Sequence, residues 1–483
     1  MTGSVAQTKQ AAEQGEAPKG RISQSEEKNE LGHAPVPGLL VGYAIPSVIA
    51  LVVTALYNII DQFFIGQAVG ELGNAATNVA FPLTMLCMGL ALVGGIGGAA
   101  NFNLNMGRRK PEAAAHYAGS AIVLMLLMGV VLFALTHFFL EPLMRFCGAT
   151  DKVLPYAVTF TSITTWGFPF LILMMGGTTL IRADGSPRYA MACTLSGAII
   201  NLILNPIFVF GLGWGIAGSA TATTIGQVVA GLMVIVYVVR SFKTVKLERE
   251  HFALRARYVA DIFKLGITAF ITQILFIVLQ VILNNSLTRY GAASAFGAEM
   301  PLAVAGIAMK MNELAFSIVI GISQGMQPIM SYNYGAGHYS RVRRCYLLGV
   351  CAATVVNFIA FVCFHLFPDQ IIEAFGQHDP QALLFAEDMF RIFLFFTFLN
   401  AVQPLTANFF TSIGKPKYGI FLSLTRQGIF LIPLLVILPL IWGIDGVVWS
   451  APVADGLTFV VTVFVVRHQF RLMRAAEAAG EAD

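Results

Sequence analysis

The sequence predicts an all-α integral membrane protein with twelve transmembrane helices in two six-helix bundles, arranged as parallel repeats around a central cavity. Three observations predict it. Hydrophobic residues make up 57% of the 483 and charged residues 12%, about half the charged share of an ordinary globular domain. Uncharged runs of roughly 20 residues or more recur along the chain, each long enough to cross ~30 Å of hydrocarbon as a helix. Short motifs recur at an offset of about 228 residues, the mark of an internal duplication.

The uncharged runs include 34–60, 72–107, 113–140, 153–181 and 265–288. The run 189–239 is too long for one helix and is broken at Gly211-Leu-Gly-Trp-Gly215, so it reads as two. The expected spans are 39–66, 76–101, 116–140, 154–180, 189–211, 216–239, 262–287, 301–331, 345–367, 386–411, 418–441 and 445–466. A β-barrel is excluded, because the segments lack a two-residue apolar/polar alternation and are about twice as long as a barrel strand. Helices then remain the way to satisfy the backbone in lipid.

Orientation follows from the thirty Lys and Arg residues. Twenty-four lie in the two chain ends and in alternate loops: 108–110, 182–188, 240–264, 341–344 and 415–417. The positive-inside rule makes that side cytoplasmic, with both termini there, and the pattern requires an even number of helices. Residues 1–37 read as a disordered cytoplasmic tail with no apolar core for a cleavable signal. Residues 38–240 form the first bundle, 241–261 a basic linker, 262–467 the second bundle and 468–483 a cytoplasmic tail. No loop has room for a soluble domain. The six cysteines lie singly, without metal or disulfide spacing, and read as apolar filler.

The repeat rests on three pairs of motifs. Gly185-Ser-Pro-Arg-Tyr189 aligns with Gly414-Lys-Pro-Lys-Tyr418, Trp214-Gly-Ile-Ala-Gly218 with Trp442-Gly-Ile-Asp-Gly446, and Asn105-Met-Gly107 with Asn333-Tyr-Gly335. Six helices separate the copies, so both point the same way and are related by an axis along the membrane normal.

Membrane-depth polar residues are the candidates for chemistry, since a charge there is costly without a use. Asp61 ends an uncharged run of the first helix; its residue context alone also fits an interfacial Asp near a helix end. Asn201 and Asn205 are four apart on one helix face, and Thr223 on the next helix could add a hydroxyl. They could equally hold helices together by hydrogen bonds. Lys310 and Glu313, three apart, favour pairing with each other. Asp388 and Arg391 share that spacing. Arg426 and Asp455 either neutralise each other or line a cavity. His116, His137 and His365 read as hydrogen-bonded or solvated groups at helix ends. Prolines at 82, 169, 206, 301, 328, 404 and 433 supply bends and free carbonyls. The 38 Phe and 18 Met suit an adaptable site, although packing and lipid contact account for most of them.

Several motifs in order along both repeats carry a family resemblance over about residues 38–466. They are Tyr57-Asn-Ile-Ile-Asp-Gln-Phe-Phe-Ile-Gly66, Gly94-Gly-Ile-Gly-Gly98, the two Gly-x-Pro-basic-Tyr turns, and Gln324-Gly-Met-Gln-Pro328 followed by Asn333-Tyr-Gly335. The chain resembles the multidrug and toxic compound extrusion family of cation-coupled efflux transporters, in the branch of the MepA-type bacterial exporters. That resemblance implies an amino-lobe cation site at Asp61, Asn201, Asn205 and Thr223, with H⁺ favoured over Na⁺ because Asn205 stands where some members have a second carboxylate. In the second lobe Gln273 and Asn400 stand near positions where some members are acidic, which puts a cation site there in doubt. Gln273, Lys310, Asn400, Arg426 and Asp455 are carried as cavity or substrate residues.

The expected activity is antiport by alternating access: cation uptake at Asp61 neutralises a buried charge, lets the first helix bend or repack, and displaces a small organic compound, often cationic, outward. No enzyme chemistry, cofactor, metal or nucleic-acid partner is expected, and the chain has no Gly-x-x-x-x-Gly-Lys-Ser/Thr loop. The expected setting is a monomer in the lipid bilayer of a bacterial inner membrane. The rival is a lipid-linked saccharide flippase, which would need cavity cations for a pyrophosphate; Lys310, Arg391 and Arg426 are the available ones.

Overall fold

The computed structural model describes residues 29–297, 299–374 and 379–480, so most of the expected amino-terminal tail lies outside the described residues. Among the described residues the regular structure is helical. The first six long helices are α1 (Val36–Val69), α2 (Glu71–Gly107), α3 (Pro111–Phe138), α4 (Leu154–Ala183), α5 (Pro187–Gly211) and α6 (Gly215–Arg240). The second six are α7 (Ala256–Ala292), α8 (Glu299–Gly335), α9 (Tyr339–Leu366), α10 in two pieces (Pro380–Asp388 and Val402–Ser412), α11 (Pro416–Trp442) and α12 (Ile444–Ala478). All except α10 are continuous and apolar enough to cross a membrane.

The break in α10 differs from the single helix expected over 386–411. A π-helical turn, Met389–Phe393, leads into irregular turns over 394–401. The buried Asn357 amide of α9 donates to the Thr397 carbonyl at 3.0 Å, satisfying one backbone group that the break would orphan. Helix also replaces expected tail at both ends: Glu30–His33 is helical and α12 runs to Ala478. Proline opens α3, α5 and α11, and the first piece of α10, where its missing N–H costs nothing and its fixed φ suits the first turn.

The repeat is visible in backbone conformation. The α4–α5 and α10–α11 turns place Gly185 and Gly414 at φ 83° and 76°, and each is closed by a six-residue hydrogen bond, Ser186 N to Ile181 O and Lys415 N to Phe410 O. Gly215 and Gly443, after the paired tryptophans, lie at φ 55° and 60°. After the paired asparagines, Arg109 and Gly337 occupy the same left-handed region at φ 58° and 78°.

Two antiparallel contacts join the bundles near the end that carries the basic loops, called here the basic end. On α1 and α8, a Cβ at Gly321 would lie 2.6 Å from Val48 Cα, and one at Gly325 2.6 Å from Ala44 Cα. On α2 and α7, a Cβ at Gly97 would lie 2.1 Å from the Ile262 carbonyl oxygen, and one at Gly266 2.1 Å from that of Val93. The cores interlock accordingly. Leu31, Val36, Leu39, Leu40, Tyr43 and Ala44 pack in a cluster with Met326, Tyr346 and Phe409 of the second bundle, whereas Ile262 packs in the core of the first. Each bundle thus receives the basic-end half of the other's first helix.

Toward the opposite end these same helices part. Leu56 and Ile59 of α1, Phe81 of α2, Val278 and Val281 of α7 and Leu302 of α8 are all exposed. The result is a cleft between the bundles, closed at the basic end and open at the other.

The linker belongs to the first bundle. The buried Asp184 accepts hydrogen bonds from the Lys243 and Thr244 amides at 2.7 and 2.8 Å and from the Tyr237 hydroxyl at 2.8 Å. Burial pushes its carboxyl above the usual range, against the pull of those donors. The His251 carbonyl oxygen lies 2.3 Å from a Cβ built at Gly119, a close approach that only glycine permits.

Candidate cation site and cleft

Asp61 sits on α1 in the half beside the cleft. Its Oδ1 accepts hydrogen bonds from Asn205 Nδ2 on α5 and from Ser219 Oγ on α6, the latter at 3.3 Å. Asn205 and Ser219 are fully buried, while Asp61 is half-buried. Beside them Asn201 Nδ2 donates to Thr223 Oγ1 at 2.8 Å, and Tyr57, one turn before Asp61, lies next to Thr223. The structure therefore brings Asp61, Asn201, Asn205 and Thr223 into one polar group spanning α1, α5 and α6.

Ser219 and Tyr57 were not singled out by the sequence. Each lies four residues from a residue that was, Thr223 and Asp61, and so shares its helix face. Asn205 Oδ1 is buried without a hydrogen-bond partner. An amide is a donor at one end and an acceptor at the other. Turned over, it would present an oxygen to Asp61. The group can thus meet both a bare carboxylate, which only accepts, and a protonated one, which also donates.

The second bundle is built differently. Arg426 Nε stands 2.8 Å from Asp455 Oδ1 and Arg426 Nη2 is 3.3 Å from Asn400 Oδ1. Arg426 is carried by a π-helical stretch of α11, Leu424–Leu431. Arg426 and Asp455 thus pair with each other, and with Leu399, Asn400, Gln403, Thr458 and Phe459 they line a small cavity inside the second bundle. Gln273 lies elsewhere. Its Nε2 approaches Met88 Sδ at 3.0 Å and Met85 Sδ at 3.6 Å, so it contacts α2 across the bundle interface, where the cleft ends.

Two expected pairings are not formed. Lys310 and Glu313 make no ion pair within 4 Å, and both are exposed. Arg391 pairs with Glu387 at 3.3 Å rather than with Asp388, because four residues bring side chains on a helix closer to alignment than three. Of the three membrane-depth cations, two are thus engaged by their own carboxylates. That arrangement does not favour a pyrophosphate site.

Glu112, His116 and His251 meet at the basic end, with His251 Nε2 2.9 Å from Glu112 Oε1. His251 Nδ1 accepts the Glu248 amide at 2.9 Å, which leaves the neutral ring's proton on Nε2, directed at Glu112. A metal bound at Nε2 would place N–H against N–H at Nδ1, so the cluster is read as a hydrogen-bonded clasp between linker and α3.

Known proteins agree with this architecture. The MatE family model matches residues 46–207 and 268–437, one stretch in each bundle. Multidrug export protein MepA of Staphylococcus haemolyticus (strain JCSC1435) is 26% identical over 428 residues, covering 88% of this chain and 92% of that protein. MepA of Staphylococcus saprophyticus is 24% identical over 439 residues, covering 90% and 95%. Among solved structures, the MATE multidrug transporter DinF-BH superposes with a TM-score of 0.83 at 32% identity, covering 91% of this chain and 98% of that one. An outward-facing MATE family transporter of the MOP superfamily gives 0.86 at 22% identity, covering 92% and 98%. With two bundles of membrane helices around a cleft, and the family match in both, this chain belongs to the MatE family of multidrug efflux transporters and is not an enzyme.

Proposed function

We propose that this transporter exports small organic compounds, drugs among them, by antiport against a cation bound at Asp61, with H⁺ favoured over Na⁺. The observation that carries the reading is the double attachment of α1. Its basic-end half packs in the core of the second bundle, and its other half is tied to the first bundle through Asp61, Asn205 and Ser219. Neutralising Asp61 weakens the charge-assisted bonds that hold this half of α1 in place. Changing the protonation of one residue therefore alters how the two bundles are coupled. The Asn205 amide and the Ser219 hydroxyl can each either donate or accept, which suits a site that alternates between a bare and a protonated acid and supports H⁺.

In this reading the basic end is cytoplasmic, both termini lie inside, and the cleft opens outward. The cation enters from outside, substrate leaves, and the return step closes the cleft and delivers the cation inward. One proton moved across 100 mV supplies about 2.3 kcal/mol to the export of a neutral compound. The working unit is a monomer in a bacterial inner membrane.

The test is efflux of a fluorescent organic cation from a drug-sensitive bacterial host, with the proton and sodium gradients collapsed separately. Loss of efflux with the proton gradient alone is expected, as is loss of export by Asp61→Asn at wild-type levels of insertion. Wild-type export by Asp61→Asn would remove Asp61 from the mechanism; dependence on sodium alone would replace H⁺ as the coupling ion.

A further inference from the structure

We infer that the outer groove between α9 and α12, at the basic end of the second bundle, binds an anionic phospholipid whose phosphate is held by Arg344, Arg467, Arg471 and Arg474. The site lies on the lipid-facing wall and is independent of the cleft and of the coupling ion.

Two rows of side chains run along the outer face of α12. Val453, Val460, Arg467 and Arg474 follow one another at seven-residue steps, as do Leu457, Phe464 and Arg471, and such a step drifts by only ~20° on an α-helix. The apolar members are between 39% and 68% exposed, and the three arginines are exposed as well. Each row thus passes from apolar surface to arginine. Trp449, 46% exposed, precedes Arg467 by five turns, so the two are in line and ~27 Å apart along the axis. That span is close to the ~30 Å of hydrocarbon in a bilayer. Arg467 therefore lies at the headgroup level of the leaflet that meets the basic end. Arg471 and Arg474 follow ~6 and ~10 Å beyond it, and long side chains can reach back to the same layer.

The helix is held so that this face stays outward. On its inner side Gln469 and Met473 are buried, Gln469 Oε1 accepts from Lys415 Nζ at 2.9 Å, and Phe470 packs edge-on against Tyr346 of α9 with ring centroids 5.6 Å apart. Arg343 of α9 donates to Glu477 of α12 at 2.8 Å. That contact puts α9 on the flank of α12 beside Arg474, which lies only ~60° round the helix from Glu477. On α9 itself, Arg344 is exposed and stands three turns before the exposed Val355, so it continues the lipid-facing side of that helix.

Charge names the occupant. Among the described residues, Glu477 is engaged by Arg343, and no carboxylate lies within 4 Å of the side-chain nitrogens of Arg344, Arg467, Arg471 or Arg474. Arg343 Nη1 has no hydrogen-bond partner, so the junction keeps a guanidinium N–H to spare. Four arginines without counter-ions at the foot of exposed apolar rows suit a ligand with acyl chains and a net negative headgroup. A zwitterionic headgroup would bring a positive charge back to the same place. The feature belongs to one bundle: α6, the counterpart of α12, ends at Arg240, after which the chain folds back onto Asp184.

The test is native mass spectrometry of the purified full-length transporter in neutral detergent, titrated with phosphatidylglycerol or phosphatidylcholine. The wild type is expected to retain phosphatidylglycerol in preference. The triple variant Arg467→Gln, Arg471→Gln, Arg474→Gln is expected to weaken that binding by roughly tenfold or more, the scale of three cations at an anionic headgroup. A second triple variant, Arg249→Gln, Arg255→Gln, Arg257→Gln, removes the same charge from exposed linker positions at the same end and is expected to leave it unchanged. Glu477→Gln removes the competing carboxylate and is expected to tighten binding, which damage to the fold would not do. Equal weakening by both triple variants would reduce the effect to general surface charge and overturn the site. Equal retention of the two lipids, or no effect of the first triple variant, would overturn it too. Displacement of phosphatidylglycerol by inorganic phosphate would assign the arginines to a free anion in place of a lipid.

Discussion

Arg426 Nε and Asp455 Oδ1 stand 2.8 Å apart inside the second bundle, with the Asp455 side chain 2% exposed and that of Arg426 20%. The second bundle thus holds an ion pair between its last two helices, whereas the polar group of Asp61, Asn205 and Ser219 in the first bundle has Asp61 as its charged member, so the two lobes of a duplicated fold have different electrostatics. Asp455 Oδ2 has no hydrogen-bond partner, which leaves Arg426 as the main compensation for the buried charge.

Removing that compensation is expected to cost more than removing the pair. Arg426→Met should destabilise the folded protein by about 3 kcal/mol or somewhat less, since breaking a buried pair strands a charge and Arg426 is partly exposed. The double variant Arg426→Met with Asp455→Leu should recover most of that loss. Thermal unfolding of the detergent-solubilised protein measures both. If the double variant were no more stable than the single one, the pair would not be the main support of Asp455.

The closed end of the cleft depends on bare backbone. At Gly97 an added methyl would fall 2.1 Å from the Ile262 carbonyl oxygen, so Gly97→Ala must push α2 and α7 apart at a cost of about 1–3 kcal/mol. The expected outcome is a basic end that opens more readily. A reporter cysteine replacing the buried Leu104, in a background without the native cysteines, should react faster with a water-soluble maleimide. An unchanged rate would show that this contact does not hold the end shut.

Much of this was legible in the sequence because lipid restricts the choices. Run length and charge gave eleven continuous membrane helices, and the paired Gly-x-Pro turns gave the repeat. The α10 break was not legible, since 394–401 is as apolar as a membrane helix and the Asn357 that supports it is distant in sequence. Asp61, Asn201, Asn205 and Thr223 stood out as polar groups in apolar runs. Ser219 did not, because serine is common in membrane helices. The partners of Lys310 and Arg391 depended on side-chain placement that i, i+3 spacing alone does not fix.

His338 gives the stability a pH dependence. It is exposed between α8 and α9, where desolvation by its neighbours, and then Arg341, His33 and Arg109, hold its imidazole below the usual histidine range. The native state therefore declines a proton that the unfolded chain accepts. Stability is expected to fall as pH drops through and below about 6.5, the ordinary histidine value. His338→Gln should flatten that part of the profile when melting temperatures are compared across it. A profile identical to wild type would assign the acid sensitivity to other groups.

Arg109 is, among the described residues, the one non-glycine residue with positive φ, at 58°, and its counterpart in the second repeat is Gly337 at 78°. A side chain in the left-handed region costs roughly 1–2 kcal/mol that glycine avoids, although glycine also gives the unfolded chain more freedom to lose. Arg109→Gly is thus expected to stabilise the α2–α3 turn by up to about 1 kcal/mol, read as a higher melting temperature. Arg109→Ala keeps the left-handed cost while removing the same charge. If Ala stabilised as much as Gly, relief of charge among Arg108, Arg109 and Lys110 would be the cause, and the backbone argument would fail.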